Sequence, residues 1–139
     1  MRQSLIVMVF AVAALAQPSV PAGGEVRVGQ AGQLDWKPST NLPVGAEYHL
    51  IREDPVTHGI EALVRFPSGY SIPSHSHDAE ETLVVLRGKI RVKAGAEDRV
   101  LSPGDYVVLP KGVPHELQVK GLRSAELLAV TDGPFSLKK

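Results

Sequence analysis

What most constrains this chain is a rhythm that begins at Glu47. Short runs of β-branched and apolar residues are each cut off by a turn signal after about eight to twelve positions. The runs are EYHLIR (47–52), IEALVRF (60–66), YSIPSH (70–75), TLVVLR (82–87), KIRVK (89–93), DRVL (98–101), DYVVL (105–109), HELQV (115–119) and SAELLAV (124–130). Between them stand Pro67-Ser68-Gly69, Gly88, Gly95, Pro103-Gly104 and Pro110-Lys111-Gly112. Gly reaches positive φ there without a Cβ clash, and Pro presets a turn. Lys89-Ile90-Arg91-Val92-Lys93 alternates charged and apolar residues, the period of a strand with one wet face. No run carries a helical period and no long internal repeat is present, so the pattern predicts an all-β sandwich or barrel.

Length and composition bound the rest. With 139 residues, 43% of them hydrophobic, the chain holds one domain with one sizeable core. Its 15 basic and 15 acidic residues cancel, which leaves no basic field for nucleic acid or an anionic membrane surface. There is no cysteine, so disulfides, thiolate ligands and thiolate nucleophiles are excluded.

The N-terminus is organised differently. After Arg2 the run LIVMVFAVAALA ends in small residues and no charge follows until Glu25, the layout of a signal peptide. A stable membrane span needs about 20 apolar residues, more than this run offers. The expectation is a signal peptide at 1–16, a loose Gly- and Pro-rich arm at 17–44 with room for one short strand, and a barrel domain at 45–136. Such a chain is exported, to the periplasm or beyond.

The chemistry concentrates in HSHDAEE, residues 75–81. In a strand, residues i and i+2 face the same side about 7 Å apart, so His75 and His77 can present imidazoles to one point. A divalent ion needs further ligands, and Asp78, Glu80 and Glu81 all offer a carboxylate. Spacing alone leaves that choice open. His115, first residue of HELQV after a tight turn, is the best fourth partner. His49 sits in an early strand without a partner and His58 beside Gly59 in a loop, so both fit less well.

Two longer patterns enclose these residues. Gly69, five residues, His75-x-His77, three residues, Glu81, six residues and Gly88 resembles the first cupin motif. Gly104, five residues, Pro110-x-Gly112, two residues and His115 resembles the second, which departs at Val119, where the family often has Asn. The resemblance covers residues 45–130. It implies a double-stranded β-helix, the jelly-roll or cupin barrel, holding one divalent transition metal on His75, His77, Glu81 and His115. It also selects Glu81 over Asp78 and Glu80, which become solvated loop residues. Three imidazoles and a carboxylate suit Mn, Fe, Ni, Cu or Zn.

Strand parity from Glu81 turns Leu83 and Val85 inward and Val84 and Leu86 outward. The pocket is therefore aliphatic, with Leu83 standing where some metal-dependent lyases of this fold carry tyrosine. Tyr48, Arg65, Tyr70 and Leu83 are the candidate substrate contacts, with Tyr106 a further polar group nearby. The resemblance implies a small metal-dependent enzyme acting on a small chelating molecule, with dioxygenase-like oxidoreductase chemistry foremost. The alternative is a non-catalytic extracytoplasmic protein that binds a small ligand or stores a metal. A homodimer is also implied, and outward Val84 and Leu86 give it an apolar face. Phe135, after Gly133-Pro134, is expected to plug one barrel end.

Overall fold

A computed structural model of the protein describes residues 24–139. The signal peptide read at 1–16 and the start of the arm lie outside the described residues. Beyond a 3-10 turn at Ala31–Gln33, the regular elements are β1 (Lys37–Pro38), β2 (Glu47–Glu53), β3 (Ile60–Phe66), β4 (Ser71–His75) and β5 (Glu81–Arg87). They continue as β6 (Lys89–Ala94), β7 (Glu97–Leu101), β8 (Tyr106–Leu109), β9 (His115–Lys120) and β10 (Ala125–Thr131). No helix among the described residues is long and apolar enough to cross a membrane.

The strands form two antiparallel sheets. One is six-stranded in the order β1-β2-β3-β10-β5-β8, the other four-stranded in the order β4-β9-β6-β7. Neighbours in each sheet are mostly distant in sequence, as expected of a jelly roll in which successive strands cross between layers. The period-two pattern decides which faces meet. In β5 Glu81, Leu83 and Val85 are buried; in β9 His115, Leu117 and Val119; in β10 Ala125, Leu127, Ala129 and Thr131. Ile90, Leu109, Leu127 and Val85 are the largest fully buried side chains, each worth about 1.5–3 kcal/mol by burial.

Gly88 makes the step from β5 in one sheet to β6 in the other. Its φ of 75° lies in the left-handed region, and a Cβ there would stand 2.4 Å from the Ser124 carbonyl oxygen. Only glycine turns this corner while β10 passes so close.

The arm is tied to the barrel rather than loose. Lys37 and Pro38 pair with Tyr48 and Glu47 at the sheet edge, where a proline costs no ladder bond. Trp36 lies under the Arg65 guanidinium, 4.2 Å from ring centroid to carbon, and Leu42 packs against the core.

Candidate metal centre

His75 ends β4 and His115 begins β9, and the two are direct cross-strand partners. Each follows a proline, Pro73 at a register shift within β4 and Pro114 in the loop before β9, and each ring Nδ1 donates to the carbonyl two residues back. The distances are 2.7 Å from His75 to Pro73 and 2.9 Å from His115 to Val113. His77 leaves the strand and donates from Nδ1 to the Ser136 carbonyl at 2.5 Å, an acceptor 59 residues away. A carbonyl oxygen can only accept, so all three rings carry the proton on Nδ1 when neutral and offer a lone pair on Nε2.

The rings converge. Centroids lie 4.9 Å apart for His75 and His77, 4.2 Å for His75 and His115, and 5.0 Å for His77 and His115. One nitrogen from each ring falls within 4.8 Å of the others. Two ligands on opposite sides of an ion, at about 2.1 Å each, stand at most about 4.2 Å apart. Ligands at about 90–110° on one ion stand roughly 3.0–3.4 Å apart, so the rings draw closer when they share it. Glu81 joins from the opposite sheet, its Oε2 3.2 Å from His77 Nε2. All four residues are at most 5% exposed.

Burial lowers the pKa of His75 and His115, and their carbonyl acceptors only partly counter it. Burial acts in the same direction on His77, but the Glu81 carboxylate and the Ser136 carbonyl outweigh it and the pKa rises. His77 Nε2 faces the Glu81 carboxylate at 3.2 Å without a well-aligned hydrogen bond to it, and a bound ion would satisfy both groups. Three neutral imidazoles and one carboxylate fit Mn, Fe, Ni, Cu or Zn, with positions left over for water or substrate.

These four residues form one wall of a cavity of about 460 Å³. Residues 62–131, a span that holds the whole cluster, match the cupin domain family. The chain belongs to the cupins. It is 33% identical over 109 residues to the DNA damage-repair/toleration protein DRT102 of Arabidopsis thaliana, covering 77% of this chain and 33% of that protein. It is 41% identical over 54 residues to the dimethylsulfoniopropionate lyase DddQ of Ruegeria pomeroyi, covering 38% of this chain and 27% of the lyase. The cupin thus spans a third or less of the length of these curated relatives. Among solved structures it superposes on the polyketide cyclase RemF from Streptomyces resistomycificus with a TM-score of 0.68, covering 83% of this chain and 85% of that one. At 13% identity this likeness shows the fold.

Of the four candidate substrate contacts, Tyr48 and Leu83 line the cavity of this cupin. Arg65 and Tyr70 do not. In β3 the cavity takes Ile60, Ala62, Val64 and Phe66, so parity turns Arg65 outward. There its Nε donates to Glu47 Oε2 at 2.6 Å and its guanidinium covers Trp36. Tyr70 is buried in the core, stacked on Phe66 at 4.9 Å, and its hydroxyl donates to the Pro43 carbonyl. Burial raises its pKa. Tyr106 is 66% exposed, on the outer face of β8. Asp78 and Glu80 are exposed loop residues as the motif resemblance implied, although Ala79 between them is buried.

Sequence reasoning passed over the C-terminal segment as a part of the site. Phe135 lines the cavity with its ring centroid 4.9 Å from that of His77. Next to it, Ser76 and Lys138 exchange two backbone hydrogen bonds of 2.9 Å, and Lys138 Nζ pairs with Asp78 at 2.7 Å. Residues 134–138 are thus a strap laid along the His75–Asp78 segment. The Gly133-Pro134-Phe135 run hinted at it, but the backbone carbonyl that orients His77 leaves no mark in sequence.

Proposed function

We propose that this cupin is a small metal-dependent enzyme whose divalent transition ion binds a small chelating substrate, with dioxygenase-like oxidation as its leading chemistry. The observation that carries the reading is the convergence of the buried His75, His77 and His115 imidazoles, each anchored through Nδ1, on the wall of a ligand-sized cavity. An ion held by His75, His77, Glu81 and His115 supplies Lewis acidity to an enol, catechol or carboxylate, and a redox centre where the metal is Mn, Fe, Ni or Cu. The chain's own residues do the remainder. Three backbone carbonyls keep the imidazoles in one tautomer, so they need no reorganisation to bind. Ala62, Val64, Leu83 and Ala129 present only hydrocarbon to the cavity, which excludes water and strengthens charge interactions within it.

One curated relative named as an enzyme, the lyase, supports catalysis on this scaffold. Leu83 in place of a polar residue favours oxidation over elimination here, because the wall beside Glu81 offers no group to take a proton. Export to the periplasm or outside the cell belongs to the same proposal. N-terminal sequencing of the mature chain from fractionated cells should find it beginning at Gln17.

The test is elemental analysis of protein purified from its own compartment, followed by oxygen uptake with a panel of catechols, enols and carboxylates. One ion per chain with oxygen consumed and product formed is the expected result. Stoichiometric metal with ligand binding but no turnover across the panel would overturn catalysis in favour of the extracytoplasmic binding protein.

A further inference from the structure

A second polar pair stands at the open edge of the same cavity, the His58 and Glu53 side chains 60% and 49% exposed. Glu53 closes β2, pairs with Ile60 across the β2–β3 turn, and lines the cavity together with His58. The Ile60 amide donates to Thr131 Oγ1 at 3.0 Å, and Thr131 is the cross-strand partner of Glu81. Glu53, Ile60, Thr131 and Glu81 therefore stand on one rung of the sheet. Strands lie about 4.8 Å apart, so the three steps from β2 to β5 put Glu53 about 14 Å from Glu81 around the curved wall, and less straight across.

His58 Nδ1 lies 2.9 Å from Glu53 Oε1. A carboxylate accepts, so in the neutral ring the proton sits on Nδ1 and Nε2 carries a lone pair. With that ring neutral, the imidazole Nε2 and the second Glu53 oxygen are the two acceptors left at the cavity edge. The turn is built to hold them. Asp54 Oδ1 accepts from the Val56 and Thr57 amides at 2.8 Å each, and the Asp54 amide donates to the Gly59 carbonyl at 2.8 Å. His58 is the one non-glycine residue of positive φ among the described residues, at 59°, a conformation that costs about 1–2 kcal/mol outside glycine. Gly59 follows because a Cβ there would come within 2.5 Å of the Thr131 carbonyl oxygen. Leu50, Ile60 and Ala62 cover the wall nearby with hydrocarbon.

We infer that Glu53 and His58 form a second subsite for the ammonium end of a bifunctional ligand whose chelating carboxylate sits at the histidine cluster. The inference rests on the metal-centre reading and names the substrate class: an ω-amino carboxylate or a relative with the same two ends. The Glu53 carboxylate with an acceptor beside it matches an N–H-bearing cation, and the hydrocarbon between the subsites matches an aliphatic linker.

The experiment titrates metal-loaded protein with ω-amino carboxylates of increasing length, each against the alkanoate of the same length, by calorimetry. At the length that spans the cavity, the amino acid should bind about threefold tighter than its alkanoate, the scale of an ion pair open to solvent. Glu53→Gln and His58→Asn should each erase that preference without weakening the alkanoate. Asn tolerates positive φ, so the second variant keeps the turn, and circular dichroism verifies both folds. Alkanoates that bind with no ammonium preference at any length, or a preference untouched by both variants, would overturn the subsite and leave the metal-centre reading standing. Failure of both ligand series to bind the loaded protein would take down that reading and the subsite with it.

Discussion

His75 and His115 are near mirror images, whereas His77 is held in another way. The first two face each other across β4 and β9 and each finds its Nδ1 acceptor two residues back in its own segment. His77 reaches across the chain to Ser136, in a strap fastened by Lys138 to Ser76 and Asp78. Two ligands are thus oriented as soon as their strands pair. The third waits for the last residues of the chain to dock. This difference teaches that a cluster of chemically equal ligands can be unequal in what it depends on, and metal affinity should expose it.

The largest effect is removal of a locally held ligand. His115→Ala, or His75→Ala by the same logic, should abolish stoichiometric metal, read as ion content after dialysis against a weak chelator. Retention of a full equivalent would mean that the ion sits elsewhere. Truncation after Gly133 comes next. It removes the acceptor of His77 but none of the ligands, and losing a partner that orients a ligand typically costs about 10–100-fold in metal affinity. Competition against a chromophoric chelator measures it. An unchanged affinity would erase the distinction between His77 and the other two.

The same contrast explains how much was legible in the sequence. The strands lie within a residue or two of their sequence-derived runs, because period-two alternation and glycine corners act locally. The three histidines meet, and Glu81 reaches His77 from the other sheet. Arg65 was misjudged although the signal was present: IEALVRF places Ala62, Val64 and Phe66 on one face, which sends Arg65 to the other. Tyr70 reads as a polar candidate, but its hydroxyl is spent on the Pro43 carbonyl, a partner that no local pattern announces. His58 reads as a loop residue beside Gly59; its place at the cavity follows from Glu53 sharing a rung with Glu81, a register that exists only after four strands have paired. The strap escaped for a similar reason, since its decisive contact is a main-chain oxygen.

A smaller effect separates the strap's anchor from its function. Lys138 and Asp78 form an ion pair whose side chains are 59% and 50% exposed, and pairs so open to solvent contribute little. Lys138→Ala should therefore lower metal affinity by no more than about threefold, since the two backbone bonds to Ser76 remain. A loss as deep as that of the truncation would make the ion pair the true fastening.

The smallest expected change in affinity lies at Tyr70, in the core beyond the cavity wall. Burial raises its pKa, so the folded state holds the phenolic proton more tightly than the unfolded chain does. The linked stability is fully present below the unfolded pKa of about 10 and is lost as pH rises through the folded value. Tyr70→Phe should remove that alkaline loss while costing about 1 kcal/mol near neutral pH for the lost bond to Pro43. Chemical denaturation at neutral and alkaline pH reads both. Metal affinity at neutral pH should not move, because Tyr70 touches neither the locally held histidines nor the strap. If it falls, orientation of His75 extends back through β4 into the core, and the mirror pair is less local than its hydrogen bonds imply.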